Sequence, residues 1–337
     1  MSDLGIDLHT NSFTVCYRTR QGKERIRTFA LKELDAFCKT LRKRDRVAVE
    51  ATGNTRWFVQ QIRPRVNNVI VVDPNKFEVI TKSVNKTDKH DARTLAYFLS
   101  KDMLPKARMK DTKTAQLHSL AETRDKLVKQ RTALINKVHN VLNSHGIKLK
   151  KESLGTQKGL KTIWAWDWPV VVEVELRVLV EQIQHLNKSI KQLDDELSSR
   201  GQALKGHTNL CRIKGIGPKS ATILLSVIGN VRDFKSEHKL AAYLGIVPRV
   251  SSSNETCHHG RITKRGSKLG RTTLVQCTLV AKRYSPYLRR FYDRIKLRRG
   301  SGKAIIATAR KFLGIIYNTL MNGWLFVDFT KFVLVKS

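Results

Sequence analysis

Acidic residues are scarce in this sequence. Of 337 residues only 28 are Asp or Glu against 64 Lys or Arg, a formal net charge of +36. A field that one-sided repels itself in a compact state unless a polyanion is bound, so nucleic acid is the default partner. Cysteine is sparse as well. Cys16, Cys38, Cys211, Cys257 and Cys277 form no CxxC pair and are odd in number, which supports neither a disulfide framework nor a zinc ribbon and fits reduced thiols in a cytosol. No export leader is visible: MSDLGIDLH carries acid where a secretory signal would carry base. Nor is there an uninterrupted bilayer-length apolar run. Residues 312–335 come closest, but Asn318, Asn322, Gly323, Asp328 and Lys331 interrupt them, and they read as a buried helix followed by a strand or turn. The expected location is cytoplasmic and nucleoid-associated.

What is present is an ordinary globular content, 41% hydrophobic and 27% charged, in a chain long enough for two or three domains. The pattern divides it at 1–110, 111–204 and 205–337. In the first part LGIDLH, FTVCYR and RIRTFA follow one another as a three-strand meander. LKELDAFCKTL is then helical, RVAVEA a buried strand, 55–66 a helix, NVIVVD a strand and TDKHDARTLAYFLS a helix. The order β-β-β-α-β-α-β-α predicts a mixed sheet carrying helices, an α/β domain.

The middle part changes period. Leu117, Leu120, Arg124, Leu127, Arg131 and Leu134 recur at alternating spacings of three and four, as do Leu176, Leu179, Ile183, Leu186 and Ile190. These are heptad seams. The two long helices either fold back on each other or pair with another subunit, and Arg124 and Arg131 weaken the first seam. The last part is expected to be mainly α. Its stretch 254–311 holds 16 Lys or Arg against only Glu255 and Asp293, so basic surface concentrates there.

Carboxylates on apolar strands of so basic a chain need a reason. Asp7 interrupts GIDLH and Glu50 ends RVAVE, while Asp88 and Asp91 share one helix face at i, i+3 spacing. A helix packed across adjacent strand ends would gather all four into an oxygen cage for Mg²⁺ or Mn²⁺, and two such ions clamp a scissile phosphate. A plainer reading makes Asp88 and Asp91 first-turn residues that complement the helix dipole, with Thr87 as N-cap.

Two further segments carry chemistry. CRIKGIGPKSATILLSVIG, residues 211–229, resembles a helix-hairpin-helix element, in which Gly215, Gly217 and Lys219 face a phosphate. An ordinary helix turn with Pro218 at N1 explains the same pattern. PRVSSSNETCHHGRITKRG, residues 248–266, is a serine-rich loop leading into Arg261, Lys264, Arg265, Lys268 and Arg271, cations able to hold a phosphodiester beside a hydroxyl nucleophile. Cys257, His258 and His259 are adjacent and have no second ligand pair nearby, which argues against a metal there.

Taken in order, GIDLHTNSFTV, AVEATG, KTDKHDARTLA, IKGIGPKSA, AAYLGIVPRVSSSN, GRITKRGSK and KAIIATARKFL resemble the successive landmarks of the insertion-sequence family one-hundred-ten transposases, the DEDD recombinases guided by a bridge RNA. The resemblance implies a RuvC-like, RNase H-like first domain with Asp7, Glu50, Asp88 and Asp91 as catalytic metal ligands. It implies a coiled-coil middle region and a C-terminal transposase domain whose nucleophile, five residues after Pro248, is Ser253. Ser251 and Ser252 stand beside it as alternatives. Asn254 departs from the family's Gly at the next position, and Asn tolerates a left-handed backbone better than most residues.

The implied reaction is attack of that serine on a DNA phosphate, giving a phosphoserine and a free 3′-hydroxyl, with the serine and the acidic site coming from different protomers. The implied partners are a structured guide RNA, double-stranded target and donor DNA, and further copies of the chain in a tetramer built as a dimer of dimers, with no membrane. Sequence choice then lies in the RNA, and the protein needs backbone contacts only. Two other functions fit the residues: a RuvC-type metal-dependent junction nuclease in which Ser253 is incidental, and a catalytically decayed nucleic-acid binder.

Overall fold

In the computed structural model of the chain, residues 1–74, 76–77, 87–150, 153–253, 256–328 and 333–336 are described. They form two compact units, Met1–Met109 and Lys110–Ser337.

The first unit is built on a five-stranded sheet in the order β3-β2-β1-β4-β5. β1 (Ser2–Leu8), β2 (Ser12–Thr19) and β3 (Glu24–Ala30) form an antiparallel meander, and β4 (Arg46–Glu50) and β5 (Asn68–Val72) extend the sheet in parallel from β1. Among the described residues the predicted order of strands and helices holds. Alternation along β1 decides what each face receives. Leu4, Ile6 and Leu8 join Phe13, Phe29, Phe37 and Phe58 in one core beneath α1 (Leu34–Thr40) and α2 (Thr55–Ile62). The Phe13 ring stacks on Phe29 at 5.2 Å and meets Phe37 and Phe58 edge-on at 5.1 Å, pairs that each contribute about 0.5–1.5 kcal/mol beyond area burial.

The other face receives α3 (Asp88–Ser100), which lays Ala92 and Ala96 against Cys16. The C-terminal end of α3 is fixed by Arg46. Its Nε donates to Asp3 Oδ1 at 2.7 Å, Nη1 to Asp102 Oδ1 at 2.7 Å and Nη2 to the Leu99 carbonyl at 3.2 Å.

In the second unit α4 (Thr112–Ser144) and α6 (Val170–Gly201) are the two heptad helices, joined through a segment containing the short α5 (Gln157–Lys161). They fold back on each other. Arg124 meets Asp194, Arg131 meets Asn187 and Lys137 meets Glu175, so rising numbers on one helix pair with falling numbers on the other and the pair is antiparallel. The two arginines that weaken the seam on paper both have specific partners across it.

α7 (His207–Cys211), α8 (Pro218–Ile228), α9 (Glu237–Tyr243), α10 (Lys268–Tyr284) and α11 (Pro286–Asn322, interrupted at Gly300) enclose a core around Leu224, Leu240, Leu274, Phe312 and Ile316. α8 packs directly on α6: a Cβ at Gly201 would stand 1.8 Å from Thr222 Oγ1. Two antiparallel hairpins complete the unit, β6 (Pro248–Ser253) with β7 (Thr256–Ile262) and β8 (Trp324–Asp328) with β9 (Val333–Lys336). The first replaces the expected serine-rich loop. Val250, Thr256 and Ile262 are β-branched residues that favour a strand over the irregular backbone a serine count alone suggests. No described helix is long and apolar enough to cross a membrane.

Candidate functional site

In the first unit the site begins with a missing side chain. Gly5, Asp7 and His9 alternate onto one side of the chain leaving β1. A Cβ at Gly5 would lie 2.1 Å from the Ala92 carbonyl oxygen and 2.3 Å from the Ala96 nitrogen. Glycine therefore lets the α3 backbone rest directly on β1. One turn before Ala92, Thr87 caps α3, its hydroxyl accepting from the His90 backbone N–H at 3.2 Å. The cap reading of Thr87 and the clustering of acids are thus compatible, because the cap sets the point at which Asp88 leaves the helix.

His9 Nε2 stands 3.1 Å from Asp7 Oδ2 and 3.4 Å from Asp88 Oδ1. Ligand atoms of Asp7, His9 and Asp88 all lie within 4.8 Å of one another. Asp7 is 6% exposed. Burial raises its pKa, against the pull of His9, and the nearby charges of Asp88 and Asp91 raise it further. Burial disfavours the His9 imidazolium, but Asp7 and Asp88 outweigh it and its pKa is raised. Glu50 ends β4, one residue beyond the Ile6–Val49 pair that joins β4 to β1. The loop after it is fastened by the Thr55 hydroxyl donating to the Glu50 carbonyl at 2.7 Å and by Asn54 Nδ2 donating to the His9 carbonyl at 2.9 Å.

Of the four expected carboxylates, then, Asp7 and Asp88 come within 4.8 Å of each other with His9 bridging them, and Asp91 is felt electrostatically by Asp7. Glu50 sits at the neighbouring strand end, outside the 4.8 Å group. The donor set fits a hard divalent cation, since two carboxylates held together at a buried strand end, with a third acid adding repulsion, are relieved by positive charge. His9 is the member that sequence reasoning missed. The signal for it was the spacing of two residues from Asp7 in GIDLH.

In the second unit Ser253 is the last residue of β6. Ser251 pairs with His258, Ser252 with Cys257 and Ser253 with Thr256, while Asn254 and Glu255 lie outside the described residues. The base of this hairpin is strapped down. Thr263 N–H donates to the Val247 carbonyl at 2.9 Å and Lys264 N–H to the Gly245 carbonyl at 3.0 Å. Arg271 Nη1 donates to the carbonyls of Leu244 and Lys264 at 2.9 and 3.3 Å, and burial lowers its pKa.

Arg271 is accordingly engaged as an internal strut, whereas Arg261, Lys264, Arg265 and Lys268 are exposed around the hairpin base. Around Gly215 and Gly217, α7 and α8 flank a turn, with Gly217 as the N-cap of α8. Lys219 Nζ donates to Asp194 Oδ2 at 3.0 Å, and Asp194 also accepts from Arg124 Nε at 2.8 Å.

The comparisons with known proteins cover both units. Residues 4–147 match a model of the IS110 DEDD type described as "Transposase", and residues 207–293 match the "Transposase IS116/IS110/IS902 family" model. A probable family 20 transposase of Pseudomonas aeruginosa is 29% identical over 68% of this chain and 69% of its own. The transposase for insertion sequence element IS1111A of Coxiella burnetii is 26% identical over 94% of this chain and 89% of its own. A pilin gene-inverting protein of Moraxella lacunata is 26% identical over 95% of this chain and 96% of its own. The class is therefore that of insertion-sequence transposases and related DNA recombinases. Within it, the chain belongs to the IS110/IS116 family of transposases.

Proposed function

We propose that the chain is an RNA-guided DNA transposase that exchanges strands through a phosphoserine, with Ser253 as nucleophile and a RuvC-like acidic site as its partner. The observation that carries this reading is the approach of Asp7 to Asp88 within 4.8 Å, residues far apart in sequence, in a chain that matches a DEDD transposase model over residues 4–147. Asp7 and Asp88, with Glu50 and Asp91 completing the set, hold a divalent cation, Mg²⁺ or Mn²⁺, which when bound neutralises charge on the scissile phosphate. His9 orients the two carboxylates by bridging them.

The Ser253 oxygen forms a bond to phosphorus as the P–O3′ bond breaks. The Ser253 hydroxyl proton passes to solvent, and the departing 3′ oxygen takes one up from solvent and leaves as a hydroxyl. A 3′-hydroxyl from the other duplex then attacks the phosphoserine and releases the serine, so bond energy is conserved without a nucleotide cofactor. Arg261, Lys264, Arg265 and Lys268 hold the phosphodiester against the hairpin, and the turn at Gly215 and Gly217 takes a backbone phosphate elsewhere, with Lys219 beside it tied to Asp194. A guide RNA supplies sequence choice, and a tetramer brings the serine of one protomer to the acidic site of another.

The test is reconstitution with the RNA from the element's non-coding end and both DNA duplexes. Asp7→Asn and Ser253→Ala should each abolish joined product while leaving RNA binding unchanged. Joined product from Ser253→Ala would overturn the reading. DNA that is cut but never joined, with Ser253→Ala fully active, would instead support a junction nuclease.

A further inference from the structure

The corner between α10 and α11 carries three lysines whose ammonium groups rest on aromatic rings. Lys282 Nζ lies 3.6 Å from the centroid of Tyr292, Lys214 Nζ 5.7 Å from that of Tyr284, and Lys311 Nζ 4.5 Å from those of both Tyr287 and Phe291. They reach this corner from three parts of the chain. Lys214 does so because Gly215, at φ +109, lets the turn before α8 sit against α10, where a Cβ would stand 2.7 Å from the Ala281 nitrogen. Lys311 does so because α11 is broken at Gly300, with φ 78 and ψ 165. In an unbroken helix residues 287 and 311 would be roughly 36 Å apart, so the segment after Gly300 doubles back.

Within this stretch little opposes the charge: between residues 256 and 327 the one acid is Asp293, while Arg283, Arg289, Arg290 and Arg294 are exposed. From outside it, Glu237 of α9 reaches α11 at Gly314, one turn beyond Lys311. A lysine parked on a ring face keeps its charge and gives up less side-chain freedom when an anion arrives. Lys282 and Lys311 lie over Tyr292, Tyr287 and Phe291, while Tyr284 stays 56% exposed, so the corner offers mainly fixed charge, with one ring left open. A single strand with splayed bases wants the platforms; the regularly spaced phosphates of a duplex want the charge.

We infer that the α10–α11 corner is a docking surface for the backbone of duplex DNA, with Lys214, Lys282 and Lys311 as its phosphate contacts, built from residues other than those of the serine hairpin. The inference rests on the reading that the chain works on DNA, and it does not depend on the chemistry of Ser253.

The experiment measures binding of the full chain to a duplex DNA of arbitrary sequence across a salt series. Each lost phosphate contact lowers the slope of log K against log salt by about 0.9. The combined Lys214→Gln, Lys282→Gln, Lys311→Gln variant is expected to lose about 2.7 from the slope and to bind on the order of a hundredfold more weakly at about 0.15 M salt. The matching triple Lys→Arg variant should retain both. If the triple Gln variant does not fold, each single Gln variant should lower the slope by about 0.9.

An unchanged slope overturns the inference, and so does an equal drop with single-stranded DNA or with an RNA duplex. Should the lysine variants lose slope while the wild type forms no Ser253 adduct with cognate substrates, the surface stands and the catalytic reading falls. The opposite pattern removes the surface alone.

Discussion

Gly5 lies directly beneath Ala92, with room for no carbon between them: a Cβ on Gly5 would sit 2.1 Å from the Ala92 carbonyl oxygen. The contact fixes the height of α3 above β1, and with it the reach of Asp88 to His9 and Asp7. Gly5→Val forces the helix to lift. The expected cost is about 1–3 kcal/mol of overpacking, read as a lower urea midpoint, together with weaker binding of Mn²⁺ as the carboxylates separate.

His9 bridges Asp7 and Asp88, so its removal leaves two carboxylates less well oriented. His9→Ala should weaken Mn²⁺ binding by about ten- to a hundredfold, the range for loss of a group that orients ligands. Asp7→Asn and Asp88→Asn should weaken it further. Titration calorimetry on the three variants checks the order, and equal affinity in His9→Ala and wild type would remove the bridging role.

Asp194 accepts from Arg124 and Lys219 and so ties α4, α6 and α8 together. Burial opposes its charge, but the two cations prevail and its pKa is lowered. The carboxylate therefore titrates at a lower pH in the folded chain than in the unfolded one. The stability it confers is present above the ordinary carboxylate value of about 3.9 and is lost as pH falls through the depressed folded value. Asp194→Asn should lower the melting temperature at neutral pH and shrink the difference between neutral and strongly acidic melts. A variant with the full wild-type acid sensitivity would contradict the assignment.

Arg271 holds the serine hairpin by two carbonyls, one before it and one after. Arg271→Met removes both hydrogen bonds from a charged donor, at about 1.5–3 kcal/mol each where desolvated. Amide exchange should accelerate selectively over residues 245–264 while the core of α8 stays protected. Uniform acceleration across the unit would point to general destabilisation.

How far the sequence discloses this depends on how local each cause is. The five strands of the first unit are legible because period-two alternation in segments such as LGIDL and FTVCY is written in consecutive residues. The antiparallel pairing of the long helices is not. Arg124 and Arg131 look like defects in a seam until Asp194 and Asn187 face them, and the heptad pattern alone carries no information about partner direction.

The acidic site is half legible. Asp7 and Asp88 stand out as carboxylates in a basic chain, whereas His9 acquires meaning only when α3 is docked on Gly5. The serine segment misleads in the other direction. Three consecutive serines read as loop, but the β-branched residues around them and the carbonyls gripped by Arg271 make it a hairpin. Lys219 and Arg271 resemble free phosphate ligands by residue type, and the partners that engage them, Asp194 and the carbonyls of Leu244 and Lys264, come from distant positions that no short motif contains.

The most direct test of the central claim is to identify the atom that holds the DNA. Protein, RNA and both duplexes are incubated with a divalent cation, denatured, digested with nuclease and trypsin, and analysed by mass spectrometry. The expected product is a nucleotide attached through phosphate to Ser253, absent in Ser253→Ala and in Asp7→Asn. A nucleotide attached to another residue, or joined strands with no adduct at any stage, would contradict it.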